Sequence, residues 1–289
     1  MSWRTVIVSK RAKLDFKMNY MVIRGEETRR IFLDEIAVLI IENPAVSMTG
    51  CLLEKLIEKK IKVILCDSKR SPAAELVPYY GSYDSSRKIR RQIAWSEETK
   101  GQVWTAIVYE KIANQAQLLN LYGKQKETAL LEKYLIELEY CDISNREGHA
   151  AKVYFNALFG LDFTRDSNCP VNSALDYGYS IILSAFNREI ANCGYLTQLG
   201  LHHENVFNYF NLSSDLMEPY RPLVDKAVVE MNITEFGKDI KYSLVNLLNE
   251  SVTIAGKKQT VLNSIGIYVR SVFDALEKND SGRIEFVHL

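Results

Sequence analysis

The pattern of apolar residues changes near Pro78, and this change constrains the fold more than any other feature of the 289-residue chain. Before Pro78 the apolar residues form short alternating or continuous runs, which are typical of β-strands. After it they recur at spacings of three and four, which is typical of amphipathic helices. The sequence therefore predicts an α+β protein with a small N-terminal β-rich domain (1–80), a linker (81–96) and a larger all-α domain (97–289).

The same patterns predict the individual elements. Strands are expected at residues 3–8, 35–41 and 61–66 and in a hairpin over 13–23 that turns near 17–19, with one helix over 50–60. Asn43-Pro44 should stop the apolar run 35–41, whose continuity indicates a strand buried on both faces. Helices are expected at 97–121, 127–139, 146–159, 172–192 and over most of 219–277.

The bulk composition excludes several classes of protein. Lysine plus arginine equals aspartate plus glutamate at 36 each, so any contact with nucleic acid must come from local clusters. No apolar stretch approaches the roughly 20 residues of a membrane span, and the N-terminus lacks the pattern of a signal peptide. The five cysteines are scattered and form no C-x-x-C pair, which favours reduced thiols. We expect a cytoplasmic protein without a membrane segment.

The first candidate functional site is the segment 144–151, S-N-R-E-G-H-A-A. One interpretation is structural, because Ser144 and Glu147 have the spacing of a capping box at a helix start. Gly148 favours a functional role in addition to capping. Glycine inside a first turn costs up to ~1 kcal/mol of helix stability relative to alanine, and it is tolerated where another group approaches the backbone closely. Arg146 and Lys152 flank this helix start, which could therefore also bind a phosphate.

The second candidate contains two of the four histidines, His202 and His203, followed by Asp215 and Glu218. The two acids are three residues apart and should share a helix face. A lone histidine is more often structural, and the residues themselves do not decide which imidazole would serve as a ligand. Histidine with carboxylates makes a nitrogen and oxygen site that suits manganese or magnesium. Such an ion can polarise a phosphate oxygen and activate a water or hydroxyl nucleophile.

Five segments together resemble the CRISPR-associated integrase family, which inserts new spacers into CRISPR arrays, and specifically its type II-A branch. They are residues 3–6 (WRTV), 80–86 (YGxxDSS), 144–151 (SNREGHAA), 175–179 (LDYGY) and 215–225 (DLMEPYRPLVD). The resemblance implies a β-rich N-terminal domain, an α-helical catalytic domain, and one Mn²⁺ or Mg²⁺ ion bound by Glu147, His203 and Glu218, with Asp215 orienting a ligand or an incoming hydroxyl. It also implies DNA contacts, for which the candidates are Arg146, Lys152, Arg165, Arg188, Arg87, Arg90 and Arg91.

The resemblance further implies the substrate and the partners. The substrate is double-stranded DNA with 3′ overhangs, whose 3′-hydroxyl attacks a phosphodiester at the border of a CRISPR repeat. The chain would form homodimers that flank a dimer of a small ferredoxin-like subunit in a heterohexamer, joined in type II-A systems by an effector nuclease and a ring-shaped DNA-end-binding protein. Two other hypotheses are a DNA-binding scaffold with a non-catalytic metal site and a metallohydrolase of small phosphoesters, which would show little salt-dependent affinity for duplex DNA.

Overall fold

A computed structural model describes residues 4–76 and 82–288, which belong to two compact units, 1–81 and 82–289. The first residue of the strand predicted at 3–8, the Tyr80-Gly81 part of one motif and the domain boundary predicted at residue 80 lie outside the described residues. The first unit is rich in strands and the second is mostly helical.

Among its described residues, the N-terminal unit contains two four-stranded sheets and one α-helix. Its elements are β1 (Arg4–Val8), β2 (Lys13–Lys17), β3 (Tyr20–Arg24), β4 (Thr28–Phe32), β5 (Ile36–Ile41), β6 (Ser47–Met48), α1 (Gly50–Glu58), β7 (Lys62–Cys66) and β8 (Pro72–Leu76). The strand orders are β1-β5-β7-β8 and β4-β3-β2-β6. As predicted, the hairpin β2–β3 turns at Met18 and Asn19. Both residues have positive φ.

Strand β5 is the centre of the first sheet. All six of its residues are buried, and it pairs in parallel with β1 and β7. A continuous run of Ile, Ala, Val and Leu suits this position because both faces of the strand are covered. The prediction of a strand buried on both faces is therefore confirmed.

The second unit contains nine helices and three short strands among its described residues. They are α2 (Ser85–Ile93), α3 (Glu97–Leu121), α4 (Gln125–Ile136), α5 (Arg146–Phe159), α6 (Pro170–Asn192), α7 (Asn211–Leu216), α8 (Arg221–Met231), α9 (Lys238–Asn246), β9 (Ser251–Ile254), β10 (Lys257–Thr260), α10 (Val261–Lys278) and β11 (Val287–His288). Within the part of the chain that is described, none of the helices combines the length and apolarity needed to cross a membrane.

Helix α3 organises this unit. It begins after Ser96, whose hydroxyl accepts a hydrogen bond from the Thr99 N–H at 3.1 Å, and continues for 25 residues as predicted. It packs against α4, α5, α8 and α10 and against the short 3₁₀-helix Glu218–Tyr220. The helix carries buried side chains along its length, among them Trp104 and Ile107. The segments that carry Glu147 and Glu218 therefore pack on this helix.

One prediction for this unit is wrong. The domain is not all-α, because β9, β10 and β11 form a three-stranded antiparallel sheet in the order β10-β9-β11. The segment predicted as a linker, 81–96, contains α2. Gln92 of α2 is buried and anchors the helix, since its amide donates to the carbonyls of Leu196 at 2.8 Å and Leu199 at 3.1 Å.

Candidate metal centre and active site

Helix α5 carries Glu147 in its first turn, and the turn before it fixes this position. The Asp142 carboxylate accepts hydrogen bonds from the N–H groups of Arg146 at 2.7 Å and Glu147 at 3.0 Å. Asn145, in the left-handed region at φ 51°, is the N-cap, and its side chain accepts from the Gly148 N–H at 3.3 Å. The predicted capping box is therefore wrong. The Ser144 hydroxyl is buried and has no hydrogen-bond partner among the described residues.

The same contacts leave no free N–H group in the first turn of α5 for the phosphate that was predicted to bind there. The first three backbone N–H groups of α5 already donate to the Asp142 and Asn145 side chains. Gly148 does have a close neighbour, since a Cβ atom there would lie 2.7 Å from Asn145 Oδ1. The group that approaches the backbone is therefore the capping side chain of the protein itself.

Glu147 and Glu218 meet at one ammonium group. Lys111, on α3, is buried, and its Nζ pairs with Glu147 Oε1 and lies 2.5 Å from Glu218 Oε2. Glu218 begins the 3₁₀-helix after α7 and is also buried, whereas the Glu147 side chain retains 29% of its exposure. Arg221 completes the group, with its Nε 2.9 Å from Glu218 Oε1. Two acids that are distant in sequence thus converge on the same point.

These charges determine the protonation of Glu218. Burial would raise its pKa, but the positive charges and hydrogen bonds of Arg221 and Lys111 outweigh burial and lower the pKa to about 2. In the same way, burial opposes the charged form of Lys111, while Glu218 and Glu147 raise its pKa above the ordinary value. Glu218 is therefore an ionised carboxylate at any physiological pH.

His203 lies in the loop between α6 and α7, and Asp215 of α7 holds that loop in place. The Asp215 carboxylate is fully buried and accepts hydrogen bonds from the N–H groups of Leu201 at 2.6 Å, His202 at 3.0 Å and His203 at 3.2 Å. It also pairs with Nδ1 of the His203 ring. Because Nδ1 is engaged, any metal bound by His203 would have to be bound through Nε2.

The two adjacent histidines have different surroundings. The His202 ring stacks on buried Trp104 at a centroid distance of 4.5 Å, while His203 is half-buried next to Asp215. The hydrogen bond to Asp215 raises the pKa of His203, and the charges of Glu218 and Glu147 raise it further. His203 is therefore the imidazole that lies in the field of both acids.

A buried network extends from this centre into the core. The Arg221 guanidinium lies over the Tyr179 ring, 4.7 Å from its centroid. The hydroxyls of Tyr179 and Tyr154 both donate to Asp225, the latter at 2.9 Å. Burial raises the pKa of Asp225 to about 6, although these hydrogen bonds act in the opposite direction. Arg221 is therefore held both by Glu218 and by this network.

The donor atoms fit a hard divalent cation, although they do not form a finished site. Within residues 4–76 and 82–288, no three His, Cys, Asp or Glu side chains stand together in an arrangement that could hold a metal ion. Between Glu147 and Glu218 the nearest cation is the ammonium of Lys111. Two carboxylates and an imidazole Nε2 are nevertheless the oxygen and nitrogen ligands that manganese accepts, and magnesium shares the preference for oxygen.

Most of the cations predicted to contact DNA already have acidic partners. The ion pairs are Arg87–Asp84 at 2.5 Å, Arg91–Glu277 at 2.9 Å, Arg146–Glu137 at 3.2 Å, Arg165–Asp176 at 2.5 Å and Arg188–Glu189 at 3.6 Å. Arg90 and Lys152 are exposed and have no ion-pair partner in the described ranges. DNA would therefore have to compete for the first five cations but not for the last two.

Neither Lys111 nor Arg221 was among the site residues predicted from the sequence. A signal for Lys111 was present, because it follows Trp104, Ile107 and Val108 at helical spacing on an apolar stripe of α3. A lysine in such a stripe needs a buried acid, and the acids lie on other helices. For Arg221 the spacing of three from Glu218 was the available signal.

Comparisons with known proteins identify the family of the chain. The family described as CRISPR associated protein Cas1 matches residues 5–239. A CRISPR-associated endonuclease Cas1 of Neisseria meningitidis serogroup C (strain 8013) is 34% identical over 277 residues, which cover 94% of this chain and 91% of the relative.

Solved structures share the fold. A casposase bound to an integration product superposes with a TM-score of 0.77 at 18% identity, covering 97% of this chain and 92% of that one. A chain of a Cas6-RT-Cas1–Cas2 complex superposes with a TM-score of 0.74 at 18% identity, covering 97% of this chain but only 36% of the longer one. By the extent of the family match and by its relatives, the chain belongs to the Cas1 family of CRISPR-associated proteins.

Proposed function

We propose that this chain is a metal-dependent DNA endonuclease and integrase of the type II-A branch that inserts new spacers into a CRISPR array. In the reaction, a DNA 3′-hydroxyl attacks a phosphodiester at the border of a repeat. The observation that carries the proposal is the convergence of Glu147 and Glu218 on one ammonium. Asp215 holds the ring of His203 through Nδ1, and the charges of both glutamates raise the pKa of His203. Carboxylates and an imidazole are ligand types that phosphodiester enzymes use for a divalent ion.

Glu147, His203 and Glu218 are the residues that would hold Mn²⁺ or Mg²⁺. Such an ion supplies electrostatic stabilisation to the phosphate and lowers the pKa of a bound water or hydroxyl. Glu218 stays ionised because its pKa is about 2, and Asp215 keeps the His203 ring oriented through Nδ1. Glu147 retains the larger exposure of the two glutamates, which makes its side of the centre the one open to DNA.

The partners belong to the same proposal. One structural neighbour of the chain comes from a complex that contains Cas2, which supports a small partner subunit. We infer a cytoplasmic homodimer that binds 3′-overhanging DNA and repeat DNA, flanks a dimer of the ferredoxin-like subunit in a heterohexamer, and meets an effector nuclease and a ring-shaped DNA-end-binding protein in type II-A systems. Exposed Arg90 and Lys152 are the first positions to examine for DNA contact.

A joining assay with purified chain, the partner subunit, Mn²⁺ and labelled 3′-overhanging DNA tests the activity. We expect Glu147→Gln, His203→Gln and Glu218→Gln each to lower the joining rate roughly 100-fold or more, because each removes a proposed ligand while keeping the side-chain volume. Glu132→Gln is the matched control, since Glu132 is an exposed glutamate on α4, and it should join at the wild-type rate.

A DNA-binding scaffold is the second candidate function, and one observation favours it. Lys111 already pairs with both acids, as it would in a purely structural ion cluster. The joining assay separates the two candidates, because a scaffold predicts that Glu147→Gln leaves both DNA affinity and any joining unchanged. Equal joining rates for wild type and all three glutamine variants would reject the catalytic proposal.

A further inference from the structure

The ammonium of Lys111 stands where a bound divalent cation would have to reach the two glutamates. It contacts Glu147 Oε1 and Glu218 Oε2, one oxygen from each acid. The lysine is buried, so water does not screen these contacts as it would at the surface. A cation that binds both carboxylates must therefore compete with a charge that belongs to the protein.

The charges around the two acids already balance. Glu147 and Glu218 contribute two negative charges, and Lys111 and Arg221 contribute two positive charges at contact distance. A divalent ion added to this set would leave an excess of positive charge at a buried position. Either an anion enters with the ion or one of the two resident cations gives way.

Of the two resident cations, Lys111 is the one free to give way. Arg221 binds the other oxygen of Glu218, Oε1, and its guanidinium is stacked on the Tyr179 ring. Tyr179 in turn is tied to buried Asp225. Lys111 carries its charge at the end of a flexible four-carbon chain, and the two contacts in question are to the glutamates themselves.

We propose that Lys111 is an internal counter-ion that competes with the divalent cation. In the metal-free protein it holds Glu147 and Glu218 together and keeps two like charges from repelling each other. When the cation binds, the ammonium leaves at least one of the two oxygens. The proposal rests on the proposed metal-dependent function and gives Lys111 a positioning role within it.

Measuring Mn²⁺ affinity of the DNA-free protein by electron paramagnetic resonance tests this role. We expect Lys111→Met to bind Mn²⁺ at least about tenfold more tightly than wild type, because the competing charge is gone, whereas Lys111→Arg should show no gain. In EDTA, Lys111→Met should also melt at a lower temperature than wild type and recover when Mn²⁺ is added. Unchanged or weaker Mn²⁺ binding by folded Lys111→Met would overturn the proposal.

Lys62→Met is the matched control. Lys62 is also a buried lysine paired with a glutamate, Glu75, but it lies on β7 of the N-terminal unit. Its replacement removes the same charge and volume and should leave the Mn²⁺ affinity at the wild-type value. A gain in Lys62→Met equal to that in Lys111→Met would overturn the proposal, because the effect would then come from net charge alone.

A measurement on the wild type covers the case in which Lys111→Met does not fold. Buried, ion-paired lysines give slowly exchanging ¹⁵Nζ signals, and Lys111→Arg identifies the signal of Lys111. We expect Mg²⁺ to shift this signal, and a Lys111 signal that stays in place while Mg²⁺ binds would overturn the proposal. If the wild type joins DNA while its Mn²⁺ affinity equals that of Lys111→Met, only the role of Lys111 is rejected. If Lys111→Met gains Mn²⁺ affinity but the wild type does not join DNA, only the catalytic function is rejected.

Discussion

Charged side chains enter the core of the second unit only where a partner meets them. Lys111 and Glu218 are buried together, and Asp225 is buried between two tyrosine hydroxyls. An ionised group without such partners would cost several kcal/mol. The two kinds of partner have different consequences, because opposite charges lower the pKa of Glu218, whereas neutral hydroxyls leave burial dominant at Asp225.

Asp225 makes the stability of the protein depend on pH. Its pKa is raised from the ordinary value of 3.8 to about 6, so the folded chain binds this proton more tightly than the unfolded chain. The stability that the group contributes is therefore complete below about pH 4 and is lost as the pH rises through 6. A shift of about two units corresponds to about 3 kcal/mol.

Asp225→Asn should remove this dependence, since asparagine does not titrate and still offers an oxygen to the tyrosines. We expect the unfolding free energy of wild type to fall by about 3 kcal/mol relative to the variant between pH 4 and pH 7. Urea denaturation of both proteins at several pH values measures the difference. Parallel stability curves over this range would contradict the assigned pKa.

The start of helix α5 determines where Glu147 lies. The segment before α5 contains three residues with positive φ, Cys141, Asp142 and Asn145. This tight turn brings the Asp142 carboxylate within hydrogen-bond distance of the first N–H groups of the helix. Glu147 is thus positioned by capping residues two and five positions upstream rather than by its own side chain, which is left to pair with Lys111.

Asp142→Ala and Ser144→Ala distinguish this cap from the capping box predicted from sequence. Asp142→Ala should lower the unfolding free energy by about 1–2 kcal/mol, because two N–H groups lose their acceptor. Ser144→Ala should change it by less than about 0.5 kcal/mol, since the Ser144 hydroxyl has no hydrogen-bond partner in the described residues. The reverse order of the two effects in denaturant titrations would restore the capping box.

Elements with a strong period were predictable from the sequence, whereas the short strands β9 and β10 were not. Helix α3 was predicted with both ends correct because its apolar spacing persists for 25 residues. Strands β9 and β10 were missed because each has four residues and β10, K-K-Q-T, has no apolar face. Their positions depend on pairing with each other and with β11, which local spacing does not reveal.

The residues of the candidate site likewise divide into those that the sequence predicted and one that it did not. His203, Asp215 and Glu147 stand in short segments whose residue types were informative by themselves. Lys111 stands in an ordinary helical pattern, and only the packing of α3 against α5 and the Glu218 segment gives it a role. Long-range ion pairs of this kind are invisible in a single sequence.

Segments that are distant in the sequence of the second unit supply the residues of the centre. Glu147 comes from the start of α5, His203 from the loop before α7, and Glu218 from the segment after α7. The segments that carry the two glutamates pack on α3, which supplies Lys111 between them, and α7 packs on α3 as well.

The net charge of the chain is zero and most predicted DNA-binding arginines are paired with acids, so the attraction for DNA must come from local groups rather than from the overall field.

Pulsed electron paramagnetic resonance of bound Mn²⁺ tests most directly whether these three distant segments hold one ion. We predict one Mn²⁺ per chain, with a single nitrogen coupling from an imidazole that disappears in His203→Gln and persists in His202→Gln. Glu147→Gln and Glu218→Gln should weaken the binding of the same ion. Mn²⁺ bound without any nitrogen coupling, or with a coupling that survives in His203→Gln, would contradict the account.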